Sequence, residues 1–271
     1  MNISTVSRRL DKLEQGLDAR LFDRTPQGTL PTADAIRLAP FAEAMEQAAQ
    51  DFGRGLEGFE VEPAGVVRLA AMPGLIDHFL ASALPDLVAR YPELRIELSS
   101  STGYADLARR EADLALRARR PTAGDLVARL LLTTGWVLMA SPAYVESLGR
   151  LRRADAARWV TWGQDLVHLP DARWVAEHAP AENVVPRSNG MTGLIEAVRA
   201  GLGVMLLPRP YEVLSGLVEV PCAPAPRREL SSLPEMQLWL AGHRAHRSVP
   251  RIAAVWDWLV ARFEAGPPQR R

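Results

Sequence analysis

Ser4-Thr5-Val6-Ser7-Arg8-Arg9-Leu10-Asp11-Lys12-Leu13-Glu14 is the stretch on which the reading of this chain turns. Wound at about 100° per residue, it has two unlike faces. Val6, Leu10, Leu13 and Leu17 fall on one side. Ser4, Thr5, Arg8 and Lys12 fall on the other. An apolar stripe can anchor such a helix while hydroxyls and long cations reach phosphates and base edges in a DNA groove. Periodicity alone favours an ordinary amphipathic surface helix.

The residues that follow narrow the choice. Gly16 is placed to end the helix in a left-handed conformation. Leu17-Asp18-Ala19-Arg20-Leu21-Phe22-Asp23-Arg24-Thr25 comes next, then Pro26-Gln27-Gly28-Thr29-Leu30-Pro31-Thr32. The order S-T-V-S-R-R-L-x-x-L-E-x-x-L-x-x-x-L-F-x-R-T, then a short glycine-containing wing, then a helix-opening threonine, resembles the LysR-type transcriptional regulators. The resemblance is tight over residues 4–32 and moderate at Gly201-Leu202-Gly203-Val204-Met205-Leu206-Leu207-Pro208. Ser141-Pro142-Ala143-Tyr144 looks like a marker of one large subgroup, and elsewhere the agreement is one of pattern.

The resemblance implies that Ser4, Thr5, Ser7, Arg8 and Lys12 face double-stranded operator DNA, with Arg24, Gln27 and Gly28 near the wing and the DNA backbone. In that family a first helix and most of a second precede this segment, whereas this chain begins at Met1, almost on the recognition helix. A helix-turn-helix needs both helices. This chain carries only the second of the two, and Leu10, Leu13 and Leu17 lose the partners that normally cover them. A start placed too late, a truncation and natural shortening are all open.

Composition sets the class. The 271 residues are 48% apolar, enough for a real core in one or two domains plus an appendage. No apolar run approaches a membrane span and no signal peptide is legible, so a cytoplasmic protein is expected, with no membrane partner. Cys222 is the single cysteine, which excludes a disulfide framework and a cysteine metal cluster. Charge gives little support to nucleic acid: 32 acids balance 32 bases, and residues 1–37 hold six bases against five acids. Asp11, Glu14 and Asp18 are therefore expected off the groove side.

Thr32 reads as an N-cap with Asp34 in the first turn. The stripe Leu38, Phe41, Met45, Ala48, Phe52 then follows the steps of a coiled-coil seam, with Pro40 expected to kink the helix or shift its start. Gly53, Gly55 and Gly58 loosen the chain before a hinge at Pro63-Ala64-Gly65. From Gly65 short apolar runs alternate with amphipathic helices, which argues for parallel sheets. One helix is expected over Leu75–Tyr91, another over Gly103–Arg109, and a strand over Leu217–Val220. The layout resembles the family's effector-binding region, and the architecture this implies is α/β: a partial winged helix-turn-helix (1–31), a linker and dimerisation helix with its hinge (32–62), then two periplasmic-binding-protein-like α/β subdomains. Subdomain I takes 63–137 plus 238–271, and subdomain II takes 138–237. The linker helix is expected to support a homodimer or homotetramer.

Ligands in open α/β sheets bind beyond the carboxyl ends of strands. Three such ends offer helix N-termini or short polar side chains. Met72 and Pro73 leave the first strand; Ser100, Ser101 and Thr102 leave the second; Ser188 and Asn189 leave a later one. Trp136, past the first crossover, and Gly203 complete the expected effector-binding set. Serine, threonine and asparagine at strand ends are also ordinary turn formers. Family members often carry a hydroxyl at the first of these turns; here Ala71-Met72 stands there. An effector with an apolar or aromatic body and a carboxylate end is therefore expected.

Catalytic chemistry is not legible. His78, His168, His178, His243 and His246 are scattered, and no nucleophile elbow, P-loop or dinucleotide fingerprint has the right flanks. Gly201-Leu202-Gly203 precedes a strand instead of following one. No cofactor, no metal and no enzyme activity are expected. The function expected is a LysR-type regulator whose operator binding is modulated by a small molecule. A shortened regulator without its own DNA binding and a periplasmic-type solute-binding protein are the alternatives.

Overall fold

Glu14 closes the first turn of the chain. Its Oε1 accepts hydrogen bonds from the backbone N–H groups of Leu21 (2.6 Å) and Phe22 (3.0 Å). The computed structural model describes residues 3–25, 28–56, 62–100, 112–122 and 125–266. Helix α1 runs Ile3–Leu17, and strands β1 (Phe22–Thr25) and β2 (Gly28–Pro31) form an antiparallel wing. The left-handed residue that ends α1 is Asp18 (φ 47°), not the expected Gly16, which lies inside the helix. An aspartate tolerates this backbone region better than most side chains. Thr32 Oγ1 accepts from Ala35 N–H (3.2 Å) and so caps α2, Ala33–Leu56. Pro40 sits within α2, so it does not move the start of the helix. These elements fall in a compact unit of residues 1–60 and 109–111; a second unit holds 61–108 and 112–271.

The second unit contains two sheet systems. Strand β3 (Gly65–Ala71) leads into a helical stretch that begins as α3 (Pro73–Leu75), widens into a π turn (Ile76–Leu80) and continues as α4 (Ala81–Arg90). Pro73 at the first helical position removes a donor that would have no partner there anyway. Strands β4 (Leu94–Ser100), β5 (Leu114–Arg117) and β6 (Leu126–Thr134) follow, and the expected helix over Gly103–Arg109 lies outside the described residues.

The chain then enters the second lobe. Its elements are β7 (Trp136–Ala140), α5 (Pro142–Leu148), β8 (Trp159–Trp162), α6 (Pro170–His178), β9 (Val184–Ser188) and α7 (Met191–Arg199). They continue with β10 (Met205–Pro208), α8 (Tyr211–Ser215), β11 (Val218–Glu219) and α9 (Pro224–Ser231). The strand expected over Leu217–Val220 is thus the shorter β11. Finally β12 (Met236–His243) and α10 (Pro250–Glu264) return to the first lobe.

The expectation of parallel sheets needs correction. The five-stranded sheet has the order β4-β3-β5-β12-β6. Its β3 pairs in parallel with β4 and β5, but β12 runs antiparallel to both β5 and β6. In the other lobe β7 is antiparallel to β10 and β11, while β8 and β9 are parallel. The cause is the double crossing: β6 and β12 carry the chain out of and back into the first lobe, so they oppose each other. Each lobe has its own core. One is built on Val67, Leu69, Leu114 and Leu240 under Val255 and Leu259 of α10; the other surrounds Trp159 with Ile195, Val198 and Met205.

The lobes meet where α3 begins. A Cβ at Gly74 would lie 2.7 Å from both Met191 Cγ and the Tyr211 hydroxyl, so only glycine admits this approach. The Thr192 hydroxyl donates to Asp77 Oδ2 beside it. The His78 and Tyr211 rings meet edge-on at 5.9 Å, and His78 Nε2 is buried without a hydrogen-bond partner among the described residues. Burial, the largest influence, outweighs nearby Asp77 and holds the His78 imidazole below its ordinary value. Burial likewise pushes the Tyr211 hydroxyl far up, so it remains protonated.

Three outcomes are expected. Glu14→Ala strips two N–H groups of their shared acceptor and lowers the stability of the helix-and-wing segment by about 1–3 kcal/mol, read by chemical denaturation with a reporter in that segment. Gly74→Ala overpacks the lobe contact at a cost of about 1–3 kcal/mol, seen as faster hydrogen exchange in α3 and α7; adding Met191→Ala with Tyr211→Phe restores slow exchange. As pH falls below about 6.5, the unfolded chain takes up a proton at His78 that the folded chain refuses, so its contribution is full above that pH and is lost below. The fall in Tm from pH 7.5 to about 5.5 is accordingly smaller in His78→Gln.

Candidate functional site

The carboxyl ends of β3, β5, β8, β9 and β10 open on one cleft of about 1070 Å³ between the two lobes. That is at the upper end of the range for small-molecule sites, which run to roughly 1,000 Å³. Met72 and Pro73 line it from the end of β3, Asn189 from the end of β9, and Trp136 from the first crossover. Trp136 is half-buried, and its indole N–H donates to the Pro234 carbonyl at 2.9 Å, which fixes the ring against the second crossover.

Other expected effector residues lie elsewhere. Ser188 does not line the cleft; its Oγ accepts from Gly190 N–H (3.1 Å) and shapes the turn into α7. Gly203 is buried away from it, where a Cβ would come within 2.4 Å of the Arg158 carbonyl oxygen. Glycine there lets Val204 N–H reach that carbonyl at 2.8 Å and link β8 to the strand beside it. Ser100 is exposed at the end of β4, outside the cleft lining, and Ser101 and Thr102 lie outside the described residues.

The cleft also holds residues the sequence reading missed. The β8 end contributes Trp162, Asp165, His168 and Asp171, so the strand-end rule applied to β8 would have found them. Asp171 is 5% exposed. Its Oδ2 accepts from the Trp162 indole N–H at 2.6 Å. Burial dominates and raises its carboxyl above the ordinary range, against the bonds from Trp162 and from the backbone of Asp171 and Ala172. The first lobe faces this with cations: Arg117, Arg119 and Arg120 from β5 and the loop after it, and Arg262 from α10. Between the charged ends the wall is apolar, with Phe79, Met191, Leu206 and Phe263.

In the first unit Arg8 and Lys12 are exposed one helical turn apart on α1. Ser4, Thr5 and Ser7 lie in α1, Arg24 in β1 and Gly28 in β2; their side-chain surroundings, and Gln27 altogether, are outside the described residues. On α2, Ile36, Phe41 and Met45 are 63%, 55% and 74% exposed. No group of three or more potential metal ligands occurs among the described residues, and none of the described helices is long and apolar enough to cross a membrane.

Comparison with known proteins agrees with this architecture. A family model described as the LysR substrate binding domain matches residues 60–264, and one described as the bacterial regulatory helix-turn-helix protein, lysR family, matches residues 1–36. An HTH-type transcriptional regulator of Xanthomonas campestris pv. campestris is 33% identical, covering 96% of this chain and 77% of the relative. The Mau operon transcriptional activator of Paracoccus denitrificans is 26% identical, covering 96% of this chain and 87% of its own length. Among solved structures, CrgA, a LysR-type transcriptional regulator from Neisseria meningitidis, superposes with a TM-score of 0.61 at 22% identity, covering 97% of this chain and 90% of that one. Full-length OxyR from Pseudomonas aeruginosa gives 0.65 at 16% identity, covering 100% and 91%; at these identities the likeness is one of fold. The chain belongs to the LysR family of transcriptional regulators.

Proposed function

We propose that this regulator binds operator DNA through α1 and its wing, and that a small molecule held in the interlobe cleft changes how it does so. The observation that carries the reading is the cleft itself: about 1070 Å³, mostly apolar, at the converging strand ends of a chain whose first 36 residues match a helix-turn-helix model. That match favours a regulator over a solute-binding protein. Ser4, Thr5, Ser7, Arg8 and Lys12 are the groove-facing set, with Arg24, Gln27 and Gly28 toward the DNA backbone.

The exposed apolar residues of α2 support pairing of two copies along that helix, as a homodimer or as half of a tetramer. Met72, Pro73, Trp136 and Asn189 are the effector contacts of this reading. Its effector has an apolar or aromatic body and a carboxylate. Such a ligand regulates only by the difference between its affinities for two arrangements of the protein, usually about 1–3 kcal/mol. A non-catalytic, cytoplasmic role follows from the same reading.

Gel shifts on the intergenic DNA upstream of the gene test it. Arg8→Ala is expected to weaken binding by roughly tenfold or more, within the ~1–3 kcal/mol range of a base or phosphate contact. Unchanged binding across a salt series removes Arg8 from the DNA face.

A further inference from the structure

Asp171 is a carboxylate kept out of water beside a ligand-sized cleft, and its partners are neutral. The Trp162 indole N–H and the backbone N–H groups of Asp171 and Ala172 hold it, and no cation pairs with it among the described residues. Its place in the first turn of α6 satisfies the free N–H groups there. That accounts for a carboxylate at this position, but a helix start needs no carboxylate that is 95% removed from solvent at the wall of a cavity. A buried anion of this kind is stabilised most by a cation that arrives with the ligand.

The first lobe's share of the cleft carries the complementary irregularity. Arg262 Nε is buried and makes no hydrogen bond among the described residues, and the residue lines the same cleft. A shielded guanidinium donor without an acceptor costs free energy until one is supplied. A carboxylate suits it best. The arginines come from β5, the loop after it and α10, Asp165 and Asp171 come from the segment after β8, Glu235 comes from the second crossover, and Met72, Trp136 and Trp162 add apolar surface.

We propose that the cleft takes a zwitterionic ligand with an apolar body, its ammonium toward Asp171 and its carboxylate toward Arg262. This rests on the effector-binding reading above and adds the cationic end. It also gives the ligand a means of drawing the walls together. A molecule with both charges gains most when both lobes touch it, whereas a simple carboxylate rewards contact with only one.

The test uses the full chain and matched probes built on phenyl and indole rings: amine only, carboxylate only, and both on one carbon. Binding is read by calorimetry and by the shift in Tm. The zwitterions are expected to bind at least tenfold tighter than either single-charge partner. Asp171→Asn keeps an acceptor for Trp162 and removes the charge, so zwitterion affinity falls at least tenfold while the ligand-free Tm holds or rises. Arg262→Gln weakens the zwitterion and the carboxylate-only probe alike. If carboxylate-only probes bind as tightly as zwitterions, and Asp171→Asn leaves both unchanged, the proposal falls while the effector-binding reading stands. If Asp171→Asn lowers Tm without changing affinity, Asp171 serves only its helix and the proposal falls. If no probe of any charge binds, both readings lose their support.

Discussion

The closest approach of α3 to the second lobe depends on the absence of one side chain, at Gly74. Met191 and Tyr211 occupy the volume that any larger residue would need. Because α3 starts directly after β3, this contact also fixes Met72 and Pro73 at the cleft mouth. The Thr192–Asp77 bond and the His78–Tyr211 ring contact sit beside it. One wall of the cleft is therefore held by the fit of the Met191 and Tyr211 side chains against bare backbone at Gly74. Packed contacts of this kind shift between discrete arrangements more readily than they deform.

Much of this was legible in the sequence because the signals were local. Thr32 reads as a cap from its own neighbours, and the strand-to-helix turns at Met72-Pro73 and Asn189 follow from apolar runs ending in turn residues. Long-range features were not legible. That β12 would insert between β5 and β6, and run against both, depends on partners distant in sequence. Gly203 is in the expected effector-binding set, yet what comes close to it is the backbone of Arg158, which no local pattern announces. Asp171 was hidden by the opposite ambiguity, since an acidic residue after a proline reads as an ordinary first turn of a helix. Gly16 and Asp18 show that two residues able to adopt a left-handed conformation can lie two positions apart, and turn hydrogen bonds such as those to Glu14 accompany the choice.

Charge is distributed with similar economy. The whole chain is neutral, and so no broad positive field marks it as a DNA-binding protein. What matters is where individual groups stand: Arg8 and Lys12 exposed on one helix, Glu14 turned to the backbone of the following turn. The same holds in the cleft, where Asp165 and Asp171 come from the segment after β8 and the arginines from β5, the loop after it and α10. Sums over a sequence conceal both arrangements.

The late return of the chain has a consequence for biosynthesis. Strands β3, β4 and β5 emerge from the ribosome well before β12, which pairs with β5 in the sheet, and before α10, which covers the core. The second lobe has all of its strands before then. It is the lobe able to fold during translation, while the earliest-made strands wait with an open edge for the final segment. Premature termination between α9 and β12 would release a protein with one finished lobe and one sheet left open at β5, a natural substrate for quality control.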